Sequence, residues 1–227
     1  MALLPQQFDA VAHTYKEALD KSITISGEHG EYFAEVKARH LATIVGLEFD
    51  GKVLDFGCGI GMLSRFLVQQ FPFSKLHGYD VSELSIENMD PMVASRGKFT
   101  SDQRGLDWDY DLVVVANVMH HVPVGARLRV VVELCNRLAR FGRLVVFEHN
   151  PANPATRWAV NHCSFDADAV LLWPKDMRDY CKRANLKLTR QDYIVFFPRW
   201  LAWLRPIERS LRWCPLGAQY VLVAQKS

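Results

Sequence analysis

Several features are scarce in this chain, and each scarcity removes a class of protein. No window approaches eighteen uninterrupted apolar residues, so no membrane-spanning helix is expected. The five cysteines, at positions 58, 135, 163, 181 and 214, include no C-x-x-C and no Cys/His pair at zinc-finger spacing. A zinc scaffold is therefore excluded and no metal is expected. Their odd count and irregular spacing suit reduced thiols better than a disulfide framework. The opening stretch MALLPQQFDAVAHTY has neither a basic start nor a long apolar run, so it does not read as a signal peptide and a cytoplasmic protein is expected. Neither sign of charge dominates: 27 Lys and Arg face 25 Asp and Glu, a net of +2. That balance gives no global reason to expect nucleic acid. Repeats and low-complexity tracts are also missing.

What is present is an ordinary globular composition, 49% hydrophobic over 227 residues, enough for one sizeable core. Phe8, Val11, Ala12, Tyr15, Ala18 and Leu19 recur at helical spacing, as do Tyr32, Phe33, Val36, His40, Ile44 and Val45. The two runs predict a helical cap over residues 1–48. Alternation follows. KVLDFG reads as a strand and MLSRFLVQQF as a helix; SKLHGYDV is a strand. SELSIENMDPMVAS is a helix opened by Ser82 and broken near Pro91. KFTS is a weak strand. DYDLVVVANVM is a strand whose unbroken apolar run suits burial on both faces of a parallel sheet. ARLRVVVELCNRLARFG reads as a helix stopped by Gly142, then RLVVFEHN as a strand, PKDMRDYCKRANL as a helix, and KLTRQDYIVFF and QYVLVAQK as the last strands. This order predicts a single α/β domain, a Rossmann-like doubly wound seven-stranded sheet, mostly parallel with an antiparallel last strand. Residues 198–217 form an aromatic and basic insertion before that strand.

The informative stretch is KVLDFGCGIGMLSRFL. It runs apolar strand, acid, glycine-rich turn and amphipathic helix. Glycines let the backbone approach a ligand, and helix N–H groups favour polar or negative atoms there. A dinucleotide fingerprint wants G-x-G-x-x-G/A. Here Met62 holds the position that needs a small residue, and the third glycine comes one residue early. A nicotinamide cofactor fits poorly.

With Asp55, Gly57, Cys58, Gly59 and Gly61 in place, the stretch resembles the first motif of class I S-adenosylmethionine-dependent methyltransferases, close to (E/D)-x-G-x-G-x-G. The resemblance covers residues 50 to 150 well. It implies S-adenosyl-L-methionine as cofactor and S-adenosyl-L-homocysteine as product. It places Asp80, with Val81, at the second strand end, where a carboxylate accepts from the ribose hydroxyls. It places Asp102 after the third strand, facing the adenine amine, and Asn117 at the mouth of the cofactor site. EHNPANPATR, FDADAVLL, FFPRWL and PLGAQY resemble a bacterial subgroup of stand-alone small-molecule methyltransferases.

Methyl transfer to a hydroxyl needs a base near neutral pKa. Ligands in open α/β sheets sit beyond the carboxyl ends of the strands. His120 and His121 follow the fourth strand and His149 the fifth, while Tyr15, His13 and Tyr32 lie in the cap. By resemblance His120 faces the site and His121 is structural. Asn150, before Pro151, suits a helix cap. Tyr15 lies on an apolar helix face, where core packing competes with function. Cys58 contributes backbone, since the reaction needs no covalent intermediate.

In the insertion, Trp200, Leu204, Ile207 and Leu211 share a helical face, with a kink expected at Pro206. Arg199, Arg205, Arg209 and Arg212 make it basic. It suits a pocket wall, a peripheral membrane contact admitting a lipid-linked acceptor, a homodimer face, or a core helix with solvated arginines; the pocket wall is preferred. The reading is a methyltransferase acting on O, N or S of a small-molecule acceptor, oxygen favoured, in biosynthesis of a secondary metabolite or a cell-surface or lipid-linked compound. A nucleic-acid methyltransferase and a non-catalytic cofactor-binding partner protein are the alternatives; no nucleic-acid partner is expected.

Overall fold

The computed structural model describes residue 20, residues 23–163 and residues 169–227. The expected first helix, with His13 and Tyr15, lies outside the described residues. Helix α1 spans Gly30–Val45, and its Ala34, Lys37, Ala38 and Leu41 face inward at helical spacing. Then come β1 (Lys52–Phe56), α2 (Met62–Gln70), β2 (Lys75–Tyr79), α3 (Glu83–Glu87), α4 (Pro91–Ala94), β3 (Gly97–Thr100), β4 (Tyr110–Ala116), α5 (Val124–Arg137), β5 (Leu138–His149), α6 (Pro154–Asn161), α7 (Pro174–Arg183), β6 (Leu186–Ile194), a 3-10 segment (Arg199–Leu211) and β7 (Gln219–Lys226).

The strands form one seven-stranded sheet in the order β3-β2-β1-β4-β5-β7-β6. β1 to β5 are mutually parallel. β7 runs antiparallel to both neighbours, β5 and β6. The expected doubly wound architecture with an antiparallel last strand is the one observed. β4 shows why its sequence has no polar alternation. Leu112 and Val114 enter the core under α1 and α2, while Val113 and Val115 enter the core under α5 and α7. All four are fully buried, each worth about 1.5–3 kcal/mol of transfer free energy.

Three local expectations need correction. The helix expected to run to Gly142 ends at Arg137, because Leu138 pairs with Tyr110 at the start of β5. The register shifts between Tyr110 and Leu112, and Phe141 bridges it in a left-handed conformation. A Cβ on Gly142 would lie 2.6 Å from the Tyr110 carbonyl oxygen. That glycine therefore serves close strand packing. The second correction is the start of α6, whose cap lies three residues beyond the one expected at Asn150. Its cap is Asn153, whose side chain accepts from Thr156 N–H at 2.9 Å. Asn150 instead donates to the Pro215 and Gly217 carbonyls. Third, the insertion is a 3-10 segment broken at Leu201, not at Pro206. Ser82 does open α3, accepting from Ser85 N–H, and Pro91 starts a separate helix capped by Asp90.

Candidate functional site

The carboxyl ends of β1, β4 and β5, the first turn of α1 and the ends of β6 and β7 surround a cavity of about 450 Å³. One wall is the glycine turn. Tyr79 O accepts from both Gly57 N–H and Cys58 N–H, at 2.7 and 3.0 Å, which stitches the turn to β2. Gly57, Gly59 and Gly61 all have positive φ, the region that glycine enters without steric cost. A Cβ on Gly57 would meet Val118 Cγ2 at 2.3 Å, whereas one on Gly59 would meet nothing within 4 Å. Gly57 is thus required by packing, and Gly59 opens onto free space.

Asp80 is buried at the end of β2. Its Oδ2 accepts from Gly59 N–H and its Oδ1 from Ser82 N–H, at 2.8 and 2.9 Å. Val81 follows it, half-buried. Asp80 is not itself part of the cavity wall; it stands behind the turn and fixes Gly59 N–H. Asp55 is buried on β1 and accepts from Ser64 Oγ–H at 2.7 Å. Burial pushes its carboxyl up to about 6; the Ser64 hydrogen bond and Lys37 oppose the rise, and Asp80 adds to it. Burial also drives the Cys58 thiol well above its ordinary range, which suits an inert side chain in a turn whose backbone does the work.

The histidines divide differently from the expectation. His120 is 2% exposed, and its Nδ1 lies 2.6 Å from Glu148 Oε2. Glu148 Oε1 accepts from Met119 N–H at 2.7 Å. It is His149 that lines the cavity. The His120 ring stands behind it, with centroids 5.0 Å apart, and His121 is 4.1 Å from His120 on another side. Burial raises the Glu148 carboxyl, but the charge and hydrogen bond of His120, the charge of His149 and the Met119 N–H outweigh it and hold it below its usual range. A buried ionised carboxylate therefore sits beside the imidazoles.

Of the other expected residues, Asn117 lines the cavity beside the glycine turn. Asp102 sits after β3, half exposed, with its carboxylate on Arg104 Nε at 3.1 Å and on Arg104 N–H at 2.9 Å. It is not part of the cavity wall. In the insertion, Phe197, Pro198 and Trp200 wall the cavity. The supposed face of Trp200, Leu204, Ile207 and Leu211 is not buried. Among the described residues no group of three or more His, Cys, Asp or Glu could hold a metal.

Sequence reasoning missed two wall residues. Lys37 is buried on α1, and burial lowers its ammonium to about 8 against the opposing pull of Glu148 and Asp55. A lysine between apolar helix positions reads as a solvated face, so no signal marked it. Gln219 opens β7. Its Oε1 and the Oδ1 of Asn117 are buried acceptors with no hydrogen-bond partner among the described residues, and both residues line the cavity. Asn117 and Val195, also on the wall, have positive φ. For a β-branched residue that is a strained backbone, costing about 1–3 kcal/mol and typical of ligand sites.

Residues 54–144 match a family model described as a methyltransferase domain. Over 110 residues the chain is 34% identical to trans-aconitate 2-methyltransferase of Mycobacterium tuberculosis, taking in 46% of this chain and 38% of that protein. The match thus spans well under half the length of the curated relatives. A SAM dependent methyltransferase from Archaeoglobus fulgidus superposes with TM-score 0.68 at 13% identity, over 87% of this chain and 95% of that one. Magnesium protoporphyrin IX methyltransferase from Synechocystis PCC 6803, solved with bound SAM, gives TM-score 0.64 at 17% identity, over 100% and 99%. At such identities the solved structures establish the fold, the Rossmann-like methyltransferase sheet.

Proposed function

We propose that this chain, a member of the class I S-adenosylmethionine-dependent methyltransferase family, transfers a methyl group to an oxygen of a small, largely apolar acceptor. The observation that carries the reading is one cavity with the glycine turn at one wall, His149 at another and the aromatic β6–β7 connection closing it. The donor and acceptor set suits S-adenosylmethionine. Gly59 leaves open space where a ligand would approach the backbone. Asp80 stands at the end of β2 beside Gly59, where a carboxylate suits two vicinal hydroxyls. The unpartnered oxygens of Asn117 and Gln219 call for N–H or O–H donors, which an amino-acid ammonium supplies. Bound there, the cofactor would bring an activated methyl carbon on a positive sulfur.

The remaining work belongs to the chain. Phe33, Phe196 and Phe197 bury the acceptor and exclude water. His149 takes the hydroxyl proton, and the ionised Glu148, held by His120, stabilises the charge that results. Lys37 adds a buried cation on the same wall, which suits an acceptor carrying a carboxylate or an acidic hydroxyl. The trans-aconitate relative fits that preference by the acid in its name.

Calorimetric titration with S-adenosylmethionine and S-adenosylhomocysteine, with NADH as control, tests the cofactor assignment. Heat from the sulfur pair alone is expected. Binding of NADH instead would overturn it. A panel of aromatic and aliphatic hydroxy and carboxylic acids, followed by mass spectrometry for a gain of one methyl, then tests the acceptor class. Methylation confined to amines or RNA would overturn the oxygen assignment.

A further inference from the structure

The segment Arg199–Leu211 contains no buried residue, so core packing does not account for its apolar side chains. In a 3-10 helix, residues three apart share a face. One row faces the body of the protein. Arg205 Nη2 lies 2.6 Å from Glu28 Oε1, and Glu208 Oε1 accepts from the Phe196 and Phe197 N–H groups at 3.0 Å. The next row after the break at Leu201, Trp203, Pro206 and Arg209, is exposed, and so is Trp200 before it. Trp200, Trp203 and Trp213 are 72%, 74% and 76% exposed, and Ile207 and Leu216 lie beside them at 48% and 61%. Tryptophan exposed to this degree three times within fourteen residues marks an interaction surface.

The charge on this surface is one-sided. A second cavity, of about 710 Å³, opens between α1, β6 and the segment. Arg39, Arg205, Arg209 and Arg212 line it against a single carboxylate, Glu208. Glu208 is committed to backbone N–H groups, Arg205 to Glu28, and Arg39 lies 3.8 Å from Glu35 at the exposed edge of α1. Among the described residues no carboxylate lies within ion-pair distance of Arg209 or Arg212. Burial and the neighbouring Arg190 and Arg209 lower the Arg212 pKa, with Asp192 opposing; the local field is positive.

We propose that residues 199–216 form a contact for an anionic lipid surface, with the tryptophans at headgroup depth and a lipid phosphate among Arg39, Arg209 and Arg212. Amphipathic rings interleaved with arginine are the composition that settles at a membrane interface. A basic patch repels a second copy of itself, so charge argues against self-association. The surface also adjoins the mouth of the catalytic cavity, because Pro198 and Trp200 line that cavity. An apolar acceptor held in a lipid layer would therefore enter without crossing water. The lipid contact stands independently of the methyl-transfer reading.

The full chain is sedimented with phosphatidylcholine vesicles and with vesicles that also carry anionic phospholipid, while tryptophan emission is followed. Binding to the anionic vesicles alone is expected, with a blue shift and strong weakening by salt. The pair Trp203→Ala and Trp213→Ala should weaken binding about tenfold, from lost apolar insertion. The pair Arg209→Glu and Arg212→Glu should weaken it more than about tenfold. These side chains are not buried, so unchanged circular dichroism and Tm confirm that the variants fold. Failure to bind anionic vesicles, or equal binding to both kinds, overturns the proposal. So does a concentration-dependent dimer that buries the tryptophans. RNA binding lost in the same variants, without vesicle binding, would assign the surface to nucleic acid instead.

Discussion

The two sides of the cavity are built by different means. The glycine side is made mainly of the turn at residues 57 to 60, close in sequence, its main-chain groups held from behind by Tyr79 O and the Asp80 carboxylate. The opposite side is made of side chains from α1, the start of α6 and the ends of β5, β6 and β7, gathered from residues 30 to 219. A site formed by local backbone geometry tolerates almost no change in sequence. A site formed by distant side chains can be altered one wall at a time, which is how one fold serves many acceptors.

Four substitutions separate the two sides, from the largest expected effect to the smallest. Gly59→Arg should abolish measurable cofactor heat. Its positive φ strains any L residue by about 1–2 kcal/mol, and the arginine would enter the open space at that position. Thermal unfolding should still be cooperative; normal cofactor affinity would mean that the turn is not the site. His149→Ala should lower kcat by about 10²–10⁴ with cofactor affinity unchanged. An effect confined to KM would make His149 a binding residue only.

Asp55→Asn tests the acid behind the turn. The native state holds this proton more tightly than the unfolded chain, because the carboxyl is raised from 3.8 to about 6. Its ionisation therefore costs stability, a cost that sets in as pH rises above about 4 and is complete above about 6, amounting to at most about 3 kcal/mol. Urea unfolding at pH 4 and pH 7 should show the variant gaining on the parent at the higher pH. A constant difference across that range would remove the acid from consideration. Phe197→Ala should raise KM for an apolar acceptor several-fold and leave cofactor binding alone; a change in cofactor affinity would merge the two sides.

Legibility in the sequence follows the same division. The strands and the glycine turn could be read because buried parallel strands and tight turns impose local composition: LVVVA needs two apolar faces, and the turn needs positive φ at three places. Asp80 is placed at the second strand end by the family resemblance, which does not show its hydrogen bond to Gly59 N–H. Lys37 and Gln219 carried no such mark, because their burial depends on elements far away in sequence. The histidines show the limit most clearly. The pair at 120 and 121 stands out in the sequence, yet the direction of the His120 ring is fixed by Glu148, at the far end of β5. Gly142 misled for a related reason, since a glycine that ends a helix and one that admits a close strand look alike in one dimension.

The position of β7 governs the order in which the molecule can be assembled. Among the described strands β6 pairs only with β7, and β7 is made after it. During synthesis β6 therefore has no partner until the segment from Arg199 onward has emerged and turned back. Long-range pairing of this kind is slow to form. A newborn chain would complete the cradle between β1 and β2 first, while Val195, Ala218 and Gln219, which close the far wall, would arrive last.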